Sequence, residues 1–224
     1  MLRLESDNVY RAEKLAQLGW LDHGFGTRLS SEWLDHAQLA TLRQIHSDKV
    51  LVADHAGVVG EGDAVISARP GLTLAIRTAD CLPVLIADAR NKTVAAVHAG
   101  WRGVVREVAP RAIEAMARQF GSLPEDLTVA VGPGIGACCF EVGPEVAIQF
   151  AGFFPERQDL SARTKIDLAE AVVRQLRRIG VPPGQIGSTK FCTYCQSESF
   201  HSYRRDGEAA GRMTSAIRVR ERKP

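Results

Sequence analysis

An α+β fold is predicted by three features of this sequence. Apolar runs of strand length, about 4–8 residues, recur along the 224-residue chain. Two longer segments, 104–120 and 165–180, carry apolar residues at helical spacing. A composition of 45% hydrophobic and 24% charged residues is that of an ordinary globule, and neither a repeat nor a low-complexity linker divides it. A single domain over 1–224 is therefore expected.

Residues 1–21 read as a short strand and a helical turn. DHGFGTR, Asp22 to Arg28, sets two glycines around Phe25 and reads as a strand edge where backbone approaches something closely. Ser30 or Ser31 is positioned to cap a short helix running to about Leu42, and VLVAD from Val50 is a strand. His46 falls in the loop between them, within RQIHSD. GVVGEGD reads as a glycine-rich connection, followed by strands AVIS from Ala64 and LTLAIR from Leu72 around the turn ARPG. LPVLIAD and TVAAVHAG are buried strands joined by the short polar link Ala89 to Lys92. If they are antiparallel, Cys81 just before the first and His98 at the end of the second meet at one sheet edge.

In Val104 to Phe120, Val105, Val108, Ala109, Ala112, Ile113, Met116 and Phe120 share a helical face, while Pro110 predicts a kink or a broken start. LTVAVGPGIG is a strand ending in a glycine-rich turn, and Pro144 opens a short helix. KIDLAEAVVRQLRRIG is a helix with Asp167 as N-cap and Gly180 as its stop. The segment from STKFCTYC onward reads as strand, polar loop, strand, turn and final strand.

Net charge of +2 gives no field for a polyanion, and the only dense basic run, the terminal RVRERKP, reads as a solvated tail, so no nucleic-acid partner is expected. No apolar run reaches the length of a membrane span, and MLRLESDNVYRAEKL lacks a signal-peptide pattern. A cytoplasmic protein, monomeric or weakly dimeric, that acts on small molecules is the expectation. Five cysteines, an odd number, are better read there as thiols, ligands or nucleophiles than as a disulfide frame.

His46, Cys81 and His98 are the strongest chemical constellation. A thiolate and two imidazoles suit zinc, and three protein ligands leave a fourth position for water or substrate. The bland alternative is a packed thiol and two hydrogen-bonded imidazoles. Asp80, beside Cys81, and Asp48, near His46, are candidate acceptors for orienting the ring nitrogens. Cys192 and Cys195 form a CxxC, and Cys138 and Cys139 are adjacent. A four-thiolate site is disfavoured because neighbours on an extended backbone point opposite ways, and no helix pattern follows Cys192 to make a thioredoxin-like pair. Arg28, Arg43, Arg77, Arg102, Arg204 and Arg205 lie beside glycines, histidines or strand ends, as suits binding of an anion such as phosphate. GPGIG offers backbone N–H groups but matches neither a P-loop nor a dinucleotide fingerprint.

Taken together and in order, DHGFGTR, RQIHSDKV, GDAVIS, TADCLPVLIAD, AAVHAGWRG, GPGIGACCFEVG and CTYCQSESFHSYRRDG closely resemble the laccase-domain family of the YfiH and YlmD type. That family includes the peptidoglycan editing factor and is now largely described as purine nucleoside phosphorylase. The resemblance implies an α/β sandwich with a mixed central sheet flanked by helices, of the bacterial-toxin and YfiH-like type. It implies zinc at the positions of His46, Cys81 and His98, phosphorolysis of adenosine, inosine, guanosine and methylthioadenosine, and adenosine deamination. Phosphate would fall to Arg43 or Arg204, with Arg28 as a further binding residue, and a proton shuttle to Asp80. One departure is the link from Arg28 to Arg43, which is shorter than the family's usual segment. The older copper polyphenol oxidase label suits the residues less well: a multicopper centre needs many histidines, commonly in H-x-H pairs, and the six here form none. Two other readings remain open. One is an amide hydrolase acting on peptidoglycan precursors, with Cys81 as nucleophile and His98 as base; the other is a metal-binding protein without turnover.

Overall fold

The computed structural model describes residues 1–30 and 33–221. The chain opens with β1 (Leu2–Leu4), β2 (Val9–Ala12), a short α1 (Glu13–Ala16) and β3 (Leu21–Gly26). Next come β4 (Leu39–Arg43), β5 (Val50–Val52), β6 (Gly57–Glu61), β7 (Ala64–Ser67), β8 (Thr73–Thr78), β9 (Leu82–Asp88) and β10 (Thr93–Ala99). Helices α2 (Trp101–Val105) and α3 (Val108–Phe120) precede β11 (Leu127–Val131), β12 (Glu141–Val142), α4 (Pro144–Ala147) and β13 (Thr164–Lys165). The chain then forms α5 (Leu168–Arg178), β14 (Ile186–Gly187), α6 (Tyr203–Asp206) and β15 (Met213–Val219).

The expected mixed α/β architecture is realised with two mixed sheets rather than one central sheet. One has seven strands in the order β1-β2-β3-β15-β8-β4-β6, the other six in the order β14-β11-β9-β10-β7-β5. Pairing is mainly antiparallel, with β4 parallel to both neighbours and β5 and β14 parallel to theirs. Leu85, Ala87, Val94 and Ala96 pack with Phe25, Leu74, Ile76 and Ile217 between the sheets. The alternate residues Val84, Ile86, Ala95 and Val97 pack on the other face with Met116 of α3 and Leu176 of α5. Side chains alternate across a strand, so β9 and β10 are buried on both faces, which is why their sequences are unbroken apolar runs.

The broken start at Pro110 takes a definite form. Glu107 adopts the left-handed region at φ 61° between α2 and α3, and Pro110 sits in the first turn of α3, where its missing N–H costs no intrahelical bond. Gln175 of α5 donates to the carbonyl of Val104 at 2.7 Å and so holds the break against the second helix. Asp167 caps α5 by accepting from the Glu170 amide at 2.9 Å, and Gly180, at φ 97°, ends it.

Five expectations are corrected. The helix toward Leu42 is instead a one-turn 3-10 segment, His36–Gln38, capped by Asp35, followed by β4; Ser31 lies outside the described residues. Leu39 and Leu42 fit a helical face as well as a strand, and parallel pairing with β6 and β8, a non-local contact, decides for the strand. The supposed connection GVVGEGD contains β6. DHGFGTR is an interior strand between β2 and β15 rather than an edge, although the close approach is real: a Cβ on Gly24 would lie 2.5 Å from Val9 Cγ1. Near the C-terminus, 188–206 forms turns and α6 in place of two strands, and part of the expected tail is structural, since Arg218 and Arg220 both clamp Asp22. Among the described residues no helix is long and apolar enough to cross a membrane.

His23 on β3 yields a pH prediction. It is 5% exposed, and its Nε2 accepts the Ala12 amide at 2.8 Å, a bond that only the neutral ring can make. Burial, with the Arg11 charge, pushes its pKa down to about 4. Between that value and the ordinary value near 6.5 the unfolded chain binds the proton and the folded one does not, so stability falls as pH falls through this window. Moving from pH 7 to pH 5 is expected to cost about 2 kcal/mol through this group. Urea midpoints should drop more steeply for the wild type than for His23→Gln; parallel curves would contradict the assignment.

Candidate active site

The β9–β10 register pairs His98 with Pro83 and Ala99 with Leu82, which brings Cys81 beside the end of β10. His46 arrives from the loop between β4 and β5, where Gln44 exchanges two hydrogen bonds with the Arg77 backbone on β8, at 2.7 and 2.8 Å. One ligand atom from each of His46, Cys81 and His98 lies within 4.8 Å of the others. Cys81 Sγ is 4.0 Å from His46 Nε2, and the two imidazole centroids are 4.9 Å apart at 76°. Small residues make the space: a Cβ on Gly100 would lie 2.9 Å from Cys81 Sγ and 3.1 Å from His46 Cδ2.

The three are organised by Asp63, which is fully buried at the start of β7. Its Oδ1 accepts from His98 Nδ1 at 2.7 Å and from the His46 amide at 3.0 Å. Its Oδ2 accepts from the Ser47 hydroxyl at 2.7 Å and from the amides of Ser47 and Ile45. These amide bonds hold His46 in the left-handed region at φ 57°, a conformation uncommon for a non-glycine residue.

The charges are coupled. Burial would raise the Asp63 carboxyl, but the bonds from His98 and Ser47 hold it down to about 2. Burial would lower His98, yet Asp63 and the Cys81 thiolate raise it to about 9. Cys81, pushed up by burial, is brought down to about 7 by the two imidazoles. With Nδ1 committed to Asp63, His98 has Nε2 left for a ligand, which is the carboxylate–histidine arrangement common at metal sites. In a tetrahedral zinc site, bonds of about 2.0–2.3 Å set sulfur and nitrogen roughly 3.6 Å apart, close to the Cys81–His46 separation. The donor set and its geometry therefore fit a single metal ion.

A cavity of about 1150 Å³ opens over the triad. Trp101, Ile135, Phe140 and Tyr203 supply flat or apolar wall, and Arg77, Arg102, Arg204 and Arg212 supply positive charge. Arg102 lies over the Trp101 ring at 4.3 Å and Arg204 over Phe140 at 5.6 Å.

The expected site residues separate in space. Arg204 lines the cavity, with Nη1 donating to the Glu141 carbonyl at 3.0 Å. Arg43 points outward to pair with Glu61, and Arg28 donates to the Ser197 carbonyl; neither lines the cavity. Arg205 is spent on Asp206 and three backbone carbonyls. Asp80 orients no imidazole: its oxygens accept from the Thr193 hydroxyl and the Arg204 amide, each at 2.6 Å. Asp48 pairs with Arg111. The orienting acceptor is Asp63, which sequence reasoning passed over within GDAVIS; its one signal was a carboxylate directly before the apolar run Ala64–Ile66. Arg212 was missed as well.

A family model described as multi-copper polyphenol oxidoreductase laccase matches residues 27–220. The chain is 36% identical over 188 residues to a purine nucleoside phosphorylase of Clostridium acetobutylicum, covering 83% of this chain and 79% of that one. It is 34% identical over 201 residues to an adenosine deaminase from an unidentified prokaryote, covering 82% and 76%. The crystal structure of the hypothetical protein YfiH of Bacillus licheniformis superposes with a TM-score of 0.89 at 26% identity, covering 98% of this chain and 99% of that one.

Proposed function

Because the chain belongs to the multi-copper polyphenol oxidoreductase laccase family, with a purine nucleoside phosphorylase and an adenosine deaminase among its relatives, we propose that it is a zinc enzyme of purine nucleosides. Its reactions are phosphorolysis of adenosine, inosine, guanosine or methylthioadenosine, and deamination of adenosine. The observation that carries this reading is the convergence of His46, Cys81 and His98 at the floor of an arginine-lined cavity.

Copper oxidase chemistry fits the donors less well. Among the described residues two groups of three or more His, Cys, Asp or Glu bring their ligand atoms together, and neither holds more than two histidines. Such a set is too small for a multicopper cluster. His46, Cys81 and His98 would hold one zinc, which when bound supplies a Lewis acid for the purine or for water.

The remaining work falls to the chain. Phosphorolysis forms a bond from a phosphate oxygen to the sugar C1′ and breaks the bond from C1′ to the purine nitrogen. Arg204 and Arg102, held over aromatic rings, bind the phosphate, and the faces of Trp101, Phe140 and Tyr203 take the flat base. Asp80 positions Arg204 through the amide it accepts, so we assign it that role in place of the proton shuttle.

Zinc-loaded protein incubated with adenosine and phosphate should release adenine with ribose-1-phosphate, or inosine with ammonia. Turnover no greater than that of Cys81→Ala would discard the proposal. Arg204→Ala should raise the KM for phosphate at least about tenfold, the loss of one charged hydrogen bond, and leave deamination, which needs no phosphate, within about threefold. Arg43→Ala should change neither, and equal effects of the two variants would contradict the placement.

A second reading draws on the near-neutral Cys81 thiol beside a raised His98, a pairing that also suits nucleophilic attack on an amide. Chelation separates the two, since it stops the zinc reaction and spares a cysteine hydrolase.

A further inference from the structure

We propose that Cys138, Cys139, Cys192 and Cys195 form a second metal centre, a tetrathiolate zinc site that staples the turn after β11 to the turns before α6. The four sulfurs lie within 4.8 Å of one another, although the two pairs are more than fifty positions apart in sequence. Cys195 Sγ is 3.7 Å from Cys138 Sγ and 3.3 Å from Cys139 Sγ. Zinc–sulfur bonds of about 2.3 Å arranged tetrahedrally set sulfurs roughly 3.8 Å apart, so the cluster already has close to the required size.

The backbone explains how adjacent cysteines serve one site. The amides of Cys139 and Phe140 both donate to the Gly136 carbonyl at 2.9 Å, closing a tight turn. Within that turn, successive side chains no longer point to opposite sides as they would in a strand. This overturns the objection raised by an extended reading of the two residues. On the other segment, the Gln196 amide donates to the Cys192 carbonyl at 3.0 Å, so the CxxC curls around its own sulfurs. Cys192 and Gly134 form an isolated bridge, and the Thr193 amide donates to Gly134 at 3.0 Å, registering the two segments. Gly136 leaves the space open: a Cβ there would lie 3.1 Å from Cys192 Cβ and 3.3 Å from Cys138 Sγ. The backbone N–H groups of Cys195 and Gly136 face the Cys192 sulfur. Amides directed at sulfur are the outer partners a thiolate ligand needs.

The site shares no residue with the His46, Cys81 and His98 centre, and all its ligands are protein thiolates, so its role is structural. What it staples is the cavity wall. Ile135 and Phe140 flank one pair of cysteines and line the cavity, the Cys139 and Glu141 carbonyls face Arg204, and the Thr193 hydroxyl reaches Asp80.

The test uses full-length Cys81→Ala loaded with cobalt(II). The chain has five cysteines, so in this variant every thiolate belongs to the proposed cluster. One cobalt per chain is expected, with near-ultraviolet thiolate-to-metal bands and the strong visible bands of a tetrahedral ion, both removed by one equivalent of zinc. Adding Cys192→Ser should lower the thiolate bands and weaken binding at least about tenfold. Absence of thiolate bands in Cys81→Ala, or bands undiminished by Cys192→Ser, would overturn the proposal. Neither overturning result touches the nucleoside reading, which rests on a different set of ligands.

Discussion

Asp63→Ala is expected to lower stability by about 3–5 kcal/mol, the usual cost of deleting one partner of a buried, hydrogen-bonded charge pair. The deletion strands His98 Nδ1, the Ser47 hydroxyl and three backbone amides, all of which now converge on one carboxylate with no exposed surface. The loop carrying His46 then has nothing to hold it in the left-handed region. Urea denaturation at pH 7 reads the loss, and a change under about 1 kcal/mol would show that Asp63 is not what holds the loop. Asp63→Asn separates position from charge. It keeps an acceptor for His98 or for the amides but removes the negative charge, and it should weaken zinc binding by about 10–100-fold while the chain still folds.

Cys81→Ala is expected to abolish measurable zinc binding at the triad and to lower nucleoside turnover by more than about 100-fold, beyond what loss of an outer partner causes. The fold should survive. Cys81 precedes β9, and no strand pairing or core contact runs through its sulfur; what the sulfur meets is His46, His98 and the space left by Gly100. Thermal unfolding of metal-free wild type and variant should therefore agree within about 1 kcal/mol, while kinetics with adenosine separate them. Turnover within a few-fold of wild type would remove Cys81 from the reaction.

The readable parts of the sequence were those set by local pattern. β9 and β10 could be placed because burial on both faces makes an unbroken apolar run, and a four-residue link leaves antiparallel pairing as the simple solution. From that pairing the approach of Cys81 to His98 followed. Helix α5 announced both ends through Asp167 and Gly180. What stayed hidden depends on contacts between distant residues. β4 and β6 pair in parallel, and nothing in either segment specifies that partner. Asp63 gathers a loop 16 to 18 positions earlier and a histidine 35 later, a convergence that only the folded chain displays. Arg43, the first residue of RQIH, was expected to hold phosphate, yet strand alternation turns it out toward Glu61. The convergence of the four cysteines was hidden because the turn at Gly136 changes the direction in which neighbours point.

Zinc-replete crystals, with data collected on both sides of the zinc absorption edge, test the central assignment most directly. An anomalous peak within about 2.0–2.3 Å of the imidazole nitrogens of His46 and His98 and of the Cys81 sulfur is the expected result. Crystals grown with excess zinc that show no peak there, the three side chains facing apart, would contradict it.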